Sequence, residues 1–595
     1  MEISRRHLLG AGAAVGVGLL LPPLRLATAA NAAVPSGVTP FTETLPTLSD
    51  LGVIDATGGA DATITMMTAT THKFHSALPA TPTFAYRSEG GHQDYLGPVI
   101  VAKQGVPFNL TVNNELGKHP LAFAIDPALV PPDRRPPETH DRRPPETHDA
   151  ISPRAAVHLH GGNSEARYDG GPLDTFLPGT SKTYTHGNTQ EAAGLWYHDH
   201  AVGITRLNVF AGLAGGYLIR NADDLGDGTL LPADPYEVPL IIQDRMFKAD
   251  GSFDYPANGN PSTPRPWAPE FFGDVATVNG KAWPNLDVAR GKYRFRVWNG
   301  SNARFYNLRF LNGLNSLTFH QIGSDGGLLN APVPLNQLLL APGERADLVV
   351  DFAGLRAGAT ITLFNGAVAP YPTGPRLRRR GGATLYRIMQ FTVTRAAGWT
   401  KPIPATLRAT TITGLAGRRV AATRDMTLVE IQDTQGAPLM ALVNNRTFDT
   451  AERTIVGKDT LEQWNLINTT VDAHPMHLHF TQFQVLNRQK FDSARYFTDT
   501  YGTQPVTPNT GSYPPPSVND YLLPGTTTPP PNEQGWKDTV IAMPGEVTRI
   551  LVPFGANAVP GSPMAIQASH TGEYVWHCHI VDHEDNDMMQ RFVIQ

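Results

Sequence analysis

A chain of 595 residues is too long for one hydrophobic core, and length alone suggests three or four domains. Its 41% hydrophobic and 17% charged content is that of an ordinary soluble globular protein. The balance of 48 basic against 53 acidic residues, a net charge of −5, argues against nucleic acid as the main partner.

The N-terminus reads Ser4-Arg5-Arg6-His7-Leu8-Leu9, followed by a small-residue apolar run to Leu21 and then Pro22-Pro23. That run is too short to span a bilayer. A twin arginine, a short apolar core and a cleavage site at Ala27-Thr28-Ala29 make residues 1–32 a twin-arginine export signal. The expected destination is extracellular or the cell envelope, with no stable membrane insertion once the signal is removed. Cys578 is the only cysteine, so no intramolecular disulfide is available. That suits a route carrying a folded, metal-loaded protein, and it leaves metal ligation to explain the lone thiol.

From about residue 40, β-branched and aromatic runs alternate with Gly, Pro, Asn and Asp. Val99-Ile100-Val101, Phe108 to Val112, Tyr293-Arg294-Phe295-Arg296-Val297 and Leu348-Val349-Val350 are examples. With 56 Gly and 52 Pro, the expected class is all-β sandwiches or barrels. Polar stretches at 222–232 and 396–425 divide it into domains 40–224, 225–395 and 426–595, with 396–425 a linker. An eight-residue tandem copy, Asp133 to His140 and Asp141 to His148, reads as an exposed insertion; an unstructured loop outweighs metal binding by His140 and His148. The middle domain carries one histidine, His320, read as structural, and a basic run Arg376-Leu377-Arg378-Arg379-Arg380, read as a solvated loop. Loops around 496–536, with Pro514-Pro515-Pro516 and Pro529-Pro530-Pro531, are expected to shape a substrate pocket.

The chemistry concentrates near the C-terminus, in His577-Cys578-His579 after Gly572-Glu573-Tyr574-Val575-Trp576, a strand pattern. On an extended chain His577 and His579 face one way and Cys578 the other, so one tripeptide serves two metal centres. His583 and Met588 follow, five and ten residues beyond the cysteine. A thiolate, two imidazoles and a weak axial Met form the ligand set of a blue-copper site. Three further clusters accompany it: His158-Leu159-His160, His198-Asp199-His200 and His474-Pro475-Met476-His477-Leu478-His479. Each His-X-His pair lies on one face of a strand. These clusters take half of the 20 histidines, which makes scattered core or surface histidines a poor account. Structural zinc also fits badly, since ten histidines here surround a single cysteine.

These motifs resemble the multicopper oxidases, above all three-domain bacterial laccases of the spore-coat type and phenoxazinone synthase. The likeness extends to Trp196-Tyr197-His198-Asp199-His200-Ala201, Thr205-Arg206-Leu207-Asn208, Gln321-Ile322-Gly323-Ser324-Asp325-Gly326-Gly327 and Gly535-Trp536-Lys537-Asp538-Thr539. The resemblance implies three cupredoxin-like Greek-key domains and four coppers. His474, Cys578 and His583, with Met588 axial, would hold the type 1 copper, and His158 and His477 the type 2 copper. His160, His198, His200, His479, His577 and His579 would hold the type 3 pair. It also implies small aromatic donors (phenols, aminophenols, aromatic amines), dioxygen as acceptor, and Asp169 and Glu584 as acids near the dioxygen path. Asp199 is expected to face away and orient its neighbours. A cuprous oxidase in copper tolerance is the alternative, although the 12 Met form no rich run. A bare electron carrier would need only the blue site. Oligomeric assembly stays open.

Overall fold

A computed structural model describes residues 34–131, 148–256, 265–374, 385–434, 436–450, 452–559 and 568–595. The export segment, His140 and the Arg376–Arg380 run lie outside them. His148 opens a four-residue helix, His148–Ile151, and is exposed.

Period-two patterning builds the strands. In Phe108–Glu115 the side chains of Phe108, Leu110 and Val112 are buried while Asn109, Thr111 and Asn113 are half-exposed. Among the described residues six sheets result, in three pairs that follow one another along the chain. Five- and four-stranded sheets use strands between Val53 and Arg220. Seven- and six-stranded sheets follow between Glu237 and Ala397, and two five-stranded sheets between Ala422 and Ile594. The all-β expectation holds. No described helix is long and apolar enough to cross a membrane.

The strand Lys292–Asn299 departs from simple amphipathic alternation, because both of its faces are buried. Arg294 and Arg296 are driven inside against Asp224, Glu237 and Asp347, with Arg294 Nη1 2.8 Å from Asp224 Oδ1 and Arg296 Nε 2.8 Å from Glu237 Oε1. Buried guanidinium groups persist only when paired in this way. The network locks the end of the first sheet pair onto the second.

The first and third sheet pairs meet directly. Arg206 Nη1 donates to Asp585 Oδ2 at 3.1 Å, Tyr574 Oη to the Ser164 carbonyl at 2.9 Å, and Asn163 Nδ2 to the Phe480 carbonyl at 3.1 Å. These contacts set the edge strand Val157–His160 against the histidine-bearing strands of the C-terminal sheets.

Candidate metal centres

Strand parity sorts the ligands. The strand His474–Leu478 runs antiparallel to Gly572–Cys578, with Met476 opposite Cys578 and His477 opposite His577. Paired residues share a sheet face, and alternate residues along each strand return to it. His474, Met476 and Cys578 therefore look one way, and His477 and His577 the other. His474 and His477 differ by an odd number of positions, so one motif feeds two centres.

On the first face, Cys578 Sγ lies 3.6 Å from His474 Nδ1 and 3.8 Å from His583 Nδ1, and the two nitrogens are 3.3 Å apart. The midpoint of such a triangle is about 2 Å from every corner, the length of a metal–imidazole or metal–thiolate bond. The short helix Val581–Glu584 brings His583 back to the sulfur. Met588 is fully buried in the same apolar cluster as Cys578, and its carbonyl accepts from the Cys578 N–H at 2.9 Å. Met589 instead packs with Phe448 and Val575. Burial pushes the Cys578 thiol well above its usual range, so a thiolate here needs a cation beside it.

On the second face eight histidines from the first and third domains interleave. His160 stacks on His477 at 3.6 Å between ring centres, and His158 on His479 at 3.8 Å. They gather as His160 with His198 and His579, His200 with His479 and His577, and His158 with His477 and His479, so His479 stands in two groups, and His160 and His477 also meet at Asp538. The expected set of six thus splits into two triads. His200 Nε2 and His479 Nε2 lie 3.1 and 3.2 Å from His577 Nε2. His320, partly exposed in the strand Phe319–Ser324, joins none of these groups.

The outward nitrogens are anchored. His158 Nδ1 donates to the Asp169 carbonyl at 2.7 Å, His198 Nδ1 to the Asp199 carbonyl at 2.9 Å and His477 Nδ1 to the Asp538 carbonyl at 2.9 Å. The inward atoms, Nε2 of His158, His198 and His477 together with Nδ1 of His160, are buried without a hydrogen-bond partner. An orphaned buried polar atom costs roughly 1–3 kcal/mol, so convergent orphans mark a place built for metal. The donor set fits copper.

Burial keeps these rings neutral. His158, His160, His474, His479 and His579 are held well below the ordinary imidazole range, and His198, His200, His577 and His583 near 3. A neutral ring is the form that binds metal. In copper-free protein, the unfolded chain takes up protons below 6.5 that the fold refuses until about 3, so stability falls as pH falls through that window. At pH 5.5 each of those last four costs about 1.4 kcal/mol, about 5–6 kcal/mol together. NMR titration of the imidazoles in copper-free protein measures this; rings of the folded protein protonated by pH 5.5 would refute their buried neutral state.

Asp169 and Glu584 both reach the cluster. Asp169 Oδ2 accepts from His479 Nδ1 at 2.7 Å. Glu584 Oε2 lies 3.1 Å from His577 Nδ1 and Oε1 3.5 Å from His200 Nδ1. Burial raises both carboxyls, Asp169 well above its ordinary value and Glu584 to about 7. Asp199 turns away and accepts from Asn208 Nδ2 at 2.7 Å and from the Ala156 and Ala201 N–H groups at 3.0 and 3.1 Å.

Sequence reasoning did not single out Asp538, whose Oδ1 is 3.0 Å from His160 Nε2. Burial opposes its ionisation, but the Arg345 guanidinium overcomes that and holds the carboxyl well below the usual range. The only signal was its place in Gly535–Thr539. The loops around 496–536 do line cavities. They help line a cavity of about 790 Å³ with Arg424, Tyr513 and Arg549, and no ligand of either centre borders it.

A buried copper-type thiolate site and a histidine cluster, on opposite faces of one sheet, define a copper oxidase with an electron relay. Multicopper oxidase family signatures match residues 147–224 and 421–595. The laccase of Bacillus subtilis (strain 168) is 38% identical over 87% of this chain and 91% of that protein. Multicopper oxidase LPR1 of Arabidopsis thaliana is 36% identical over 88% and 87%. The structure of the McoA multicopper oxidase from Aquifex aeolicus is similar with a TM-score of 0.66 at 25% identity, covering 94% of this chain and all of that one, 100%. The chain belongs to the multicopper oxidase family and is laccase-like. Family membership carries a complement of four coppers: one type 1, one type 2 and a type 3 pair.

Proposed function

We propose that this protein oxidises phenols, aminophenols and aromatic amines, one electron at a time, and reduces dioxygen to water. The observation that carries the reading is the shared tripeptide: Cys578 belongs to one centre, and both of its chain neighbours belong to the other. Copper held by His474, Cys578 and His583 would supply one-electron oxidation chemistry, and copper held by the eight-histidine cluster would supply four-electron reduction of dioxygen. The residues supply the rest. The peptide bonds flanking Cys578 give a short covalent route between the centres. His583 and His474 are 2% and 0% exposed, which keeps the donor at a ring edge and out of the centre itself. Four electrons reaching one dioxygen require four protons, and Asp169 and Glu584 are the carboxyls placed to hold and pass them at His479 Nδ1 and His577 Nδ1. Export by the twin-arginine route belongs to the same proposal and rests on the N-terminal pattern.

A second reading, a low-valent metal ion as donor, has one observation in its favour. Glu430 Oε1 lies 4.0 Å from His474 Nε2, and Oε2 of this buried residue has no partner. Burial and mutual repulsion raise Glu430 to about 8 and Glu270 well above its usual value, while burial raises Asp472, their neighbour, to about 6. Metal cations would relieve that repulsion. Oxygen uptake with 2,6-dimethoxyphenol and with Cu(I) separates the two. Turnover of the phenol, insensitive to Glu430→Gln, is the expected result. Uptake with Cu(I) alone, lost in Glu430→Gln, would replace the aromatic reading.

A further inference from the structure

Asp538 is fully buried just before the strand Thr539–Ala542, which pairs with His474–Leu478. Two of its atoms act on two different imidazoles. Its Oδ1 accepts from His160 Nε2 at 3.0 Å, and its backbone carbonyl accepts from His477 Nδ1 at 2.9 Å. The nitrogens left without partners are the opposite ones, Nδ1 of His160 and Nε2 of His477. A ring nitrogen that donates outward leaves the lone pair on the other nitrogen, so these two bonds settle which atom each ring offers inward.

Asp538 is itself held from several sides. Arg345 Nη1 and Nη2 each lie 2.5 Å from one of its carboxylate oxygens, a bidentate pairing. Arg345 also donates from Nε to the Gly194 carbonyl at 3.1 Å and from Nη2 to the Asp325 carbonyl at 3.0 Å. The Thr539 hydroxyl donates to Asp538 Oδ1 at 2.9 Å. His160 comes from the first sheet pair, Arg345 from the second and Asp538 from the third. The middle domain contributes none of the ten clustered histidines, yet it supplies the arginine that aims this carboxylate.

We propose that Asp538, clamped by Arg345, is a positioning residue that fixes which nitrogen His160 presents to the trinuclear centre and steadies His477 beside it. This rests on the copper-oxidase reading above. An ordinary structural ion pair would bridge the domains without touching two ligand rings from opposite halves of the cluster.

The test uses the full-length holoprotein. Asp538→Asn keeps the shape and removes the charged acceptor, Arg345→Lys keeps the charge and removes the fork, and Thr539→Val removes a hydroxyl that touches Asp538 Oδ1 and also lies 3.1 Å from His160 Nε2 and 3.3 Å from His477 Nδ1. Copper content, the visible blue band and the EPR signal of the type 2 copper are read together. In Asp538→Asn the blue band stays, the type 2 signal changes, and copper affinity at the trinuclear centre falls about 10–100-fold. Arg345→Lys shifts the same signals less. Wild-type type 2 signals and four coppers in both variants would overturn the assignment, as would a uniform loss of blue and trinuclear copper. Should Asp538→Asn fail to fold, Arg345→Lys decides: a small change confined to the trinuclear signals supports the proposal and an unchanged spectrum refutes it. Wild-type protein lacking a blue band would instead sink the oxidase reading itself.

Discussion

Cys578→Ser yields a folded protein with no blue absorption and with turnover of aromatic donors reduced to background. The sulfur is fully buried in an apolar cluster, and its partners within reach are His474 Nδ1, His583 Nδ1 and the Ile580 N–H at 3.4 Å. Serine is close to isosteric, and the Ile580 N–H gives its oxygen one partner, so the stability loss stays within roughly 1–3 kcal/mol. A neutral hydroxyl is not a soft thiolate ligand, so the type 1 copper is lost or loses its colour. The eight histidines on the opposite face are untouched, and the variant keeps about three coppers per chain on the ligand grouping of the structure. Visible absorption, EPR and copper quantification check each part. A blue, active variant, or wild-type protein purified with zinc in place of copper, would end the proposal.

Glu584→Gln slows reoxidation of the reduced protein by dioxygen about 10²–10⁴-fold, the usual reach of a positioned proton donor. Anaerobic reduction of the blue site stays near wild type, because Glu584 faces His577 and His200 and not the sulfur. Asp169→Asn acts in the same direction through His479. Burial, helped by the charge of Asp585, raises Glu584 to about 7, and the positive charge of bound metal would pull the other way. The donor form exists below the midpoint, so wild-type reoxidation falls as pH rises through a value no higher than about 7. Glu584→Gln loses that dependence. Stopped-flow mixing of reduced protein with oxygenated buffer measures both. Equal slowing of reduction and reoxidation would show a general structural defect in place of proton delivery.

Much of the site was legible because a strand repeats every two residues. His577 and His579 around Cys578, and His158 with His160, carry their face assignments in their spacing, and no neighbour is needed to read them. The all-β class was legible for the same reason, from short alternating runs and turn residues. Arg294 and Arg296 were not: alternation marks them as a solvent face, and only the arrival of Asp224, Glu237 and Asp347 buries them. The 496–536 loops show the same limit, since proline content announces a loop but not what it borders.

Local spacing thus marked the candidate ligands and the two-sided tripeptide, properties carried by backbone geometry within a few residues. Which histidines cluster together, which of their nitrogens stay without a partner, and that Arg345 grips Asp538 beside His160 were decided only by packing. Those facts join atoms hundreds of positions apart in sequence, and a contact between distant segments exists only once the hydrophobic faces of three domains have been buried against one another.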